Sequence, residues 1–325
     1  GRVELYAGSE EFQTGDGPPP RKTYLLLDCA APQSGVEITR DEIPSVLGFL
    51  GLYGRQTDQS ERLVLHTHRG EQFDKTIAVL KEVGGTELGD LASEEVTGQT
   101  TTSQEALSWR WHFPRDTPPS RRRELLTEER TKAILERWPN VARAALNGKS
   151  PRDAASDEKL SIPLAAAVFI LEQGTSNFAH ADAIARLRQS LDLPLPGKIT
   201  PGDTAVASLP LVRVPRLEIA DVSDDDLVQL YRRAMIASGG GAMAVLASEV
   251  VRRPSLEDKI PLDEAYQQLI AVAPDPARAL ELIHQARTRA EQAGKTIALW
   301  DIAELELQLA EGNIDGVKKI LGEID

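Results

Sequence analysis

Three short apolar segments in the first 115 residues have the length and pattern of β-strands. The segments at 24–29 and 63–68 each begin with a run of apolar residues, which is typical of a buried strand. At 107–113, leucine, two tryptophans and a phenylalanine alternate with polar residues, and this period of two predicts a half-buried strand. We therefore expect all three segments to contribute to one small sheet.

Helical patterns separate these predicted strands. Thr39 or Asp41 can cap a helix that continues to about Tyr53, where a glycine follows. A second helix is predicted over 73–83, because its apolar residues recur every three or four positions and a Gly-Gly pair ends the pattern. This order predicts a small α/β domain, and the second strand could be parallel to the first, because a helix is expected to bridge them.

The last hundred residues have the pattern of amphipathic helices joined by short turns. The six predicted helices are one capped by Ser223, followed by 242–253, 262–273, 277–293, 296–312 and 314–324. The fifth helix is apolar around much of its circumference, so we expect neighbours to cover it on more than one side. Paired helices with such a covered inner member predict an α-solenoid.

Prolines and changes of pattern divide the chain further, and the predicted fold class is α+β with several domains. The predicted segments are a flexible N-terminal segment at 1–22, the small α/β domain at 23–114, a linker at 115–126, a helical module at 127–190, a proline-rich connector at 191–220 and helical repeats at 221–325. In the helical module, Ser150 and Pro151 are expected to occupy the cap and first position of a helix.

The C-terminal stretch resembles tetratricopeptide-like helical repeats. The residues that carry the resemblance are Trp300, Ala303 and Leu307 in one helix and Gly316 and Ile320 in the next. The pattern departs from the family at Gly312, which is displaced by one position, and at Glu304, where a small residue is usual. The resemblance implies stacked helix pairs that leave a concave surface for a peptide.

The middle of the chain carries a more distinctive motif. Trp138-Pro139-Asn140, followed by Ala-Leu-Asn-Gly-Lys-Ser-Pro-Arg-Asp-Ala-Ala at 145–155, resembles a signature of bacterial proteins that carry the zinc-binding SEC-C motif. A looser version of this signature occurs in the toxin-binding domain of Xre-type antitoxins, which this stretch also resembles. The resemblance spans roughly 61–172, because the strand and helix predicted at 63–83 look similar to the unit that precedes this signature. The cysteine cluster of SEC-C proteins is absent, so its zinc is not carried over.

The same motif also has a purely structural interpretation. Gly148 permits a positive φ in a turn, Ser150 and Pro151 begin a helix, and Ala154-Ala155 allow that helix to pack closely. A folding requirement alone could therefore account for the pattern.

Composition narrows the classes of function. The 325 residues are 41% apolar, and 37 Lys and Arg against 50 Asp and Glu give a net charge of −13. An acidic chain is a poor general binder of nucleic acid or anionic membranes. Cys29 is the only cysteine, which excludes a disulfide framework. Gly1 is not preceded by methionine and no signal-peptide pattern follows, so we expect a cytoplasmic protein and a segment of a longer chain.

Three histidines are the candidate metal ligands. His66 and His68 are two residues apart on a predicted strand, and His112 lies on the polar face of the predicted tryptophan strand. Three imidazoles on one face of a sheet could bind zinc. The alternative, which we favour, is that these are solvent-facing polar positions, because no carboxylate stands at a ligand spacing beside them. Cys29 could be a nucleophile, but a buried structural thiol is the favoured interpretation.

These observations favour a non-enzymatic interaction or scaffold protein that binds a protein or peptide partner through its C-terminal repeats, with no cofactor. Residues 217–325 hold 11 Lys and Arg against 20 Asp and Glu, so a basic peptide is the expected guest. The alternative is a metal-binding or nucleotide-handling function of the N-terminal domain through His66, His68 and His112. An antitoxin-like partner is a third hypothesis.

Overall fold

The computed structural model describes residues 1–8, 19–55, 60–174, 180–202, 205–237 and 240–324. The protein is mixed α/β, with 56% helix and a small antiparallel sheet. The chain forms two compact units, Gly1–Leu126 and Thr127–Asp325.

The sheet of the first unit is an antiparallel meander of four strands in chain order. Its strands are β1 (Val3–Tyr6), β2 (Lys22–Leu27), β3 (Val46–Tyr53) and β4 (Arg62–Thr67). The strands predicted at 24–29 and 63–68 are confirmed as β2 and β4. The two strands run in the same direction, as the sequence allows, but they do not pair, because β3 lies between them and is antiparallel to both. In the sheet, β2 and β4 are therefore neighbours of β3 and not of each other.

The predicted flexible segment at 1–22 contains the edge strand β1. Val3 pairs with Leu26, and Tyr6 pairs with Thr23. The Thr23 hydroxyl donates to the Tyr6 carbonyl at 2.6 Å, which fixes the end of the strand. Four residues are too few to show a periodic pattern, so pairing with β2 determines this strand. The part of the predicted segment at 9–18 lies outside the described residues.

The helix predicted from Thr39 to about Tyr53 is wrong, because most of this stretch is β3. Thr39 does begin a helical turn, but the turn covers only Arg40–Glu42. Pro44 then forces the preceding residue out of the helical region, and Gly48 weakens any helix that could follow. A Cβ atom on Gly48 would lie 2.8 Å from the carbonyl oxygen of His66, so this glycine also permits the close approach of β4.

One helix of the first unit is confirmed, and it covers the sheet. Helix α1 (Phe73–Gly84) ends at Gly85, whose φ is 53°. Its Val79 packs with Leu26, Leu47 and Leu50 of the sheet. This layer of apolar side chains is one of the buried clusters of the first unit.

The strand predicted at 107–113 is wrong. The segment follows a short helix, α2 (Thr102–Ala106), and pairs with the rest of the unit only through an isolated bridge between Ser45 and Trp111. The alternation of aromatic residues has another cause. Trp111 and Phe113 pack against a small cluster formed by Ile38, Ile43 and Leu125. The centroids of the Trp111 and Phe113 rings are 5.9 Å apart.

The predicted linker at 115–126 is also wrong over most of its length, because α3 (Pro119–Lys132) begins within it. A proline in the first turn of a helix loses no intrahelical hydrogen bond, so Pro118 and Pro119 are compatible with a helix that begins here. Leu125 of α3 is 1% exposed and belongs to the cluster with Ile38 and Ile43.

The first part of the second unit is helical, as predicted for 127–190. A π-helical turn at Ala133–Arg137 precedes α4 (Pro151–Ala154), α5 (Ser161–Gly174) and α6 (Ala181–Ser190). The predicted cap is confirmed, because the Ser150 hydroxyl accepts the backbone N–H of Asp153 at 3.2 Å. Pro163 lies in the first turn of α5, where a proline is tolerated.

The proline-rich stretch at 191–220 contains short 3₁₀ turns in its described part and no α-helix there. Val214 and Leu217 are buried against the core of the second unit, whereas Val212 is exposed. This segment therefore forms part of the core and is more than a connector.

All six predicted C-terminal helices are present. They are α7 (Asp224–Ile236), α8 (Gly240–Val250), α9 (Leu262–Ala271), α10 (Pro276–Gln292), α11 (Ala298–Ala310) and α12 (Ile314–Ile324). Each packs against the next one along the chain. A single core runs from Val206 to Trp300, and its interior is made mostly of leucine, valine and alanine.

The expectation that the fifth of these helices is covered on more than one side is confirmed, because α11 packs against both α10 and α12, but the cover is incomplete. Of the residues of α11, only Trp300 and Asp301 are buried. Trp300 packs edge-on against Tyr266 of α9, with ring centroids 6.2 Å apart. This contact fixes one side of α11 against its neighbours and leaves apolar residues on another side exposed.

Candidate interaction surfaces of the C-terminal helices

The three candidate metal ligands are not brought together. His66 lies on β4 opposite Phe49, and His68 follows the strand with its Nδ1 3.6 Å from Glu105. His112 is outside the sheet, because its segment is not a strand. Across the described ranges, no three His, Cys, Asp or Glu side chains form a group that could hold a metal ion. The N-terminal imidazoles therefore give no support to zinc binding.

Cys29 is exposed, which contradicts the expected buried thiol. Partial desolvation, followed by the charge of Asp28, raises the pKa of this thiol. The neighbouring Asp28 carboxylate accepts the backbone N–H of Ser45 at 2.7 Å and lies 3.2 Å from the Lys75 ammonium. A raised pKa keeps the thiol protonated at neutral pH, which disfavours a nucleophilic role.

The motif that begins at Trp138 forms a tight turn in the second unit. Asn147 and Gly148 both have positive φ, 55° and 78°. The Arg143 guanidinium lies over the Trp138 ring at 4.1 Å from its centroid, and burial lowers the pKa of this arginine. The backbone N–H of Arg143 donates to the Lys149 carbonyl at 3.0 Å, which closes the turn. These contacts give the distinctive residues a structural role.

An exposed apolar face of α11 is the first candidate interaction surface. Leu299, Ile302 and Leu309 are 40%, 53% and 54% exposed, and their spacing of three and seven residues puts them on one face of the helix. We call these three residues the α11 stripe. It extends over ten residues, which is about 15 Å along the helix axis. Isolated exposed leucines need no explanation, but a stripe of this length is a site that a partner could cover.

The surroundings of the α11 stripe are acidic. Glu306 is exposed and lies on the same face, between Ile302 and Leu309. From 298 to 325 the chain has seven acidic and two basic residues, a net charge of −5. Two of the acidic side chains are already neutralised, because Asp301 and Glu304 lie 2.9 and 3.5 Å from the guanidinium of Arg287 on α10.

A groove beside α8 and α10 is the second candidate surface. Its volume is about 330 Å³, and it is bounded by one face of α8, the end of α9 and the start of α10. Apolar side chains make up much of its lining, namely Ala244, Val245, Leu269, Val272, Ala273 and Leu282. Ser248, Glu249, Arg252 and Arg278 also line it. We call this cavity the α8–α10 groove.

Neither surface is predicted by the pattern of the sequence alone. The apolar circumference of α11 is a signal in the sequence, but on its own it indicates burial on several sides and not an exposed stripe. The α8–α10 groove left no periodic signal, because its walls come from helices 30 residues apart that meet only through tertiary packing.

No protein-family model matches this chain, nor does any curated protein or solved structure at a significant level. Among the helices that the structure describes, none has the length and apolar character needed to cross a membrane. The interaction surfaces therefore have to be interpreted from their own geometry and charge.

Proposed function

We propose that this chain is a non-enzymatic interaction protein whose C-terminal helix pairs, arranged as a short α-solenoid, bind a basic amphipathic segment of a partner protein. The observation that carries the proposal is the α11 stripe, an apolar face about 15 Å long in an acidic segment. A partner helix would lay its own apolar side chains along this stripe, with anchors at i, i+3 or i+4, and i+7.

Packing beneath the stripe supports a preformed surface. Trp300 is 1% exposed and Arg287 is held by Asp301 and Glu304, so the buried side of α11 is anchored to α9 and α10. A rigid surface loses little conformational entropy when a partner binds. The stripe itself contributes little to the stability of the free chain, since its side chains remain in contact with water.

Electrostatics favours a basic partner over an acidic one. Glu306 lies within the stripe, and like charges brought next to it during binding would be destabilising. Lysine or arginine on the flanks of an apolar partner face would instead pair with Glu306 and with the other exposed carboxylates of 298–325.

Selection from a displayed library of random 16-residue peptides on the full chain tests this proposal. We expect the enriched peptides to combine apolar residues at helical spacing with lysine or arginine. Ile302→Asp should weaken their binding at least tenfold, measured by fluorescence anisotropy, because it places a charge in the centre of the contact. Glu306→Lys should weaken it severalfold through charge repulsion.

Ile162→Asp is the matched control, since Ile162 is 80% exposed on α5 and lies outside the C-terminal helices. It should leave peptide binding unchanged. Enrichment of acidic peptides, failure to enrich any peptide, or equal binding by the Ile302→Asp variant would each overturn the proposal.

A further inference from the structure

The α8–α10 groove combines an apolar lining with an arginine from each of two helices. On α8, Val245, Ser248 and Arg252 follow one another at spacings of three and four residues, so they form one continuous wall. On α10, Arg278 and Leu282 form a second wall at a spacing of four. Each wall therefore presents a cation about one helical turn from an aliphatic or hydroxyl-bearing side chain.

The internal acid of the groove is already paired. Glu249 is 7% exposed, and its Oε1 accepts the Nε–H of Arg253 at 2.8 Å. The guanidinium of Arg252 is 3.9 Å from the other carboxylate oxygen, at the outer limit of an ion pair, and its side chain is 73% exposed. The Glu249 carboxylate is therefore paired mainly with Arg253, which lies about 1 Å closer than Arg252. Arg252 has donors available for another anion.

Arg278 is the second cation of the groove and lies in the first turn of α10. Its side chain is 44% exposed and pairs with Glu281 one turn later, at 2.5 Å. An exposed pair of this kind exchanges partners at little energetic cost. The positive end of the α10 dipole adds to the preference for an anion here.

We propose that the α8–α10 groove binds a small amphiphilic carboxylate, with its hydrocarbon part on the lining between Val245 and Leu282 and its carboxylate between Arg252 and Arg278. The cavity volume is near the lower end of the range for small-molecule sites, which suits an acid with a short aliphatic or aromatic body. Arginine is well matched to this head group, since it donates two parallel hydrogen bonds to a carboxylate. This proposal does not depend on the α11 stripe.

Isothermal titration calorimetry of the full chain with octanoate tests the proposal. Octanol and octylamine are matched probes that keep the chain length and replace the carboxylate with a neutral or cationic group. We expect octanoate to bind with one site per chain and both other probes to bind at least tenfold more weakly. Arg252→Gln and Arg278→Gln should each weaken octanoate binding about tenfold, because each removes a charge-assisted pair.

Two further variants separate binding in the groove from nonspecific binding. Arg232→Gln removes an exposed arginine of α7 that does not line the groove, so octanoate binding should not change. Ser248→Phe places a ring in the groove and should abolish binding while the thermal unfolding midpoint stays within a few degrees of the original. Ile302→Asp should bind octanoate normally, which distinguishes this site from the peptide surface.

The proposal is overturned if octanoate gives no binding heat, or if octylamine binds as tightly as octanoate. It is also overturned if the Arg252→Gln and Arg278→Gln variants bind octanoate with the affinity of the unaltered chain.

Discussion

Three consecutive aspartates at the start of α7 each have a different partner. Asp224 accepts the hydroxyl of Ser255 at 2.7 Å and the guanidinium of Arg253 at 2.9 Å. Asp225 pairs with Lys259 at 2.8 Å, and Asp226 accepts the hydroxyl of the cap residue Ser223. An acidic run in a first turn also complements the helix dipole. The run thus fastens α7 to the turn that follows α8.

The hydrogen bond from Ser255 is the main cause that lowers the pKa of Asp224 below its ordinary value of 3.8, and Arg253 adds to it. A lowered folded-state pKa stabilises the fold above the unfolded value, and this stabilisation is lost as the pH falls through the folded value. We expect Asp224→Asn to be less stable than the unaltered chain at pH 6, and the difference to shrink steadily below about pH 4.

Urea unfolding at several pH values between 2.5 and 6 measures this difference. Ser255→Ala removes the largest cause of the lowered pKa but keeps the carboxylate. It should therefore reduce the pH-dependent stabilisation of the fold that Asp224 provides. A gap between the unaltered chain and Asp224→Asn that stays constant down to pH 2.5 would contradict the assignment.

At the scale of elements, local signals determined the helices better than the strands. The six C-terminal helices, α1 and the Ser150 cap were all predictable, because 3.6-residue periodicity and capping chemistry are local. The segment of β3 was predicted as a helix from its possible cap, although Pro44 and two glycines oppose a helix there. Its pairing with strands on both sides decided the outcome, and pairing partners cannot be identified from one segment alone.

A substitution at Gly48 distinguishes the predicted helix from the observed strand β3, because it would raise the free energy of unfolding in a helix and lower it in the strand. In an exposed helix, Gly48→Ala would stabilise the chain by about 1 kcal/mol. In the observed strand the new Cβ would lie 2.8 Å from a backbone oxygen of β4, so we expect destabilisation of about 1–3 kcal/mol. Urea unfolding gives the free energy directly.

Gly98→Ala provides a comparison, since a Cβ on Gly98 would meet nothing within 4 Å. Its effect should stay within about 0.5 kcal/mol. A stabilised Gly48→Ala variant would refute the close pairing of β3 with β4.

At the scale of the whole molecule, charge is distributed unevenly. The net charge of the chain is −13, and residues 217–325, with 11 basic and 20 acidic residues, carry −9 of it. Such an excess raises the association rate of basic partners through long-range attraction. The two arginines that line the α8–α10 groove are a local exception to this acidic character.

Ionic strength should therefore weaken the binding of a basic amphipathic peptide to the α11 stripe. Between 0.05 and 0.5 M salt the screening length falls to well below the length of the stripe, so we expect the dissociation constant to rise severalfold. Stopped-flow fluorescence should assign most of this change to the association rate. A salt-independent dissociation constant would show that the acidic background plays no part in binding.

The sequence by itself determined the helical content of the second unit, the acidic character of its last hundred residues and the absence of a disulfide framework. These properties follow from composition and from periodicities that span only a few residues. The tertiary structure alone decided that β3 is a strand, that His112 lies apart from His66, that one side of α11 is exposed and that Arg252 and Arg278 line one groove. Each of these depends on which distant segments pack together, and packing is settled by the whole chain.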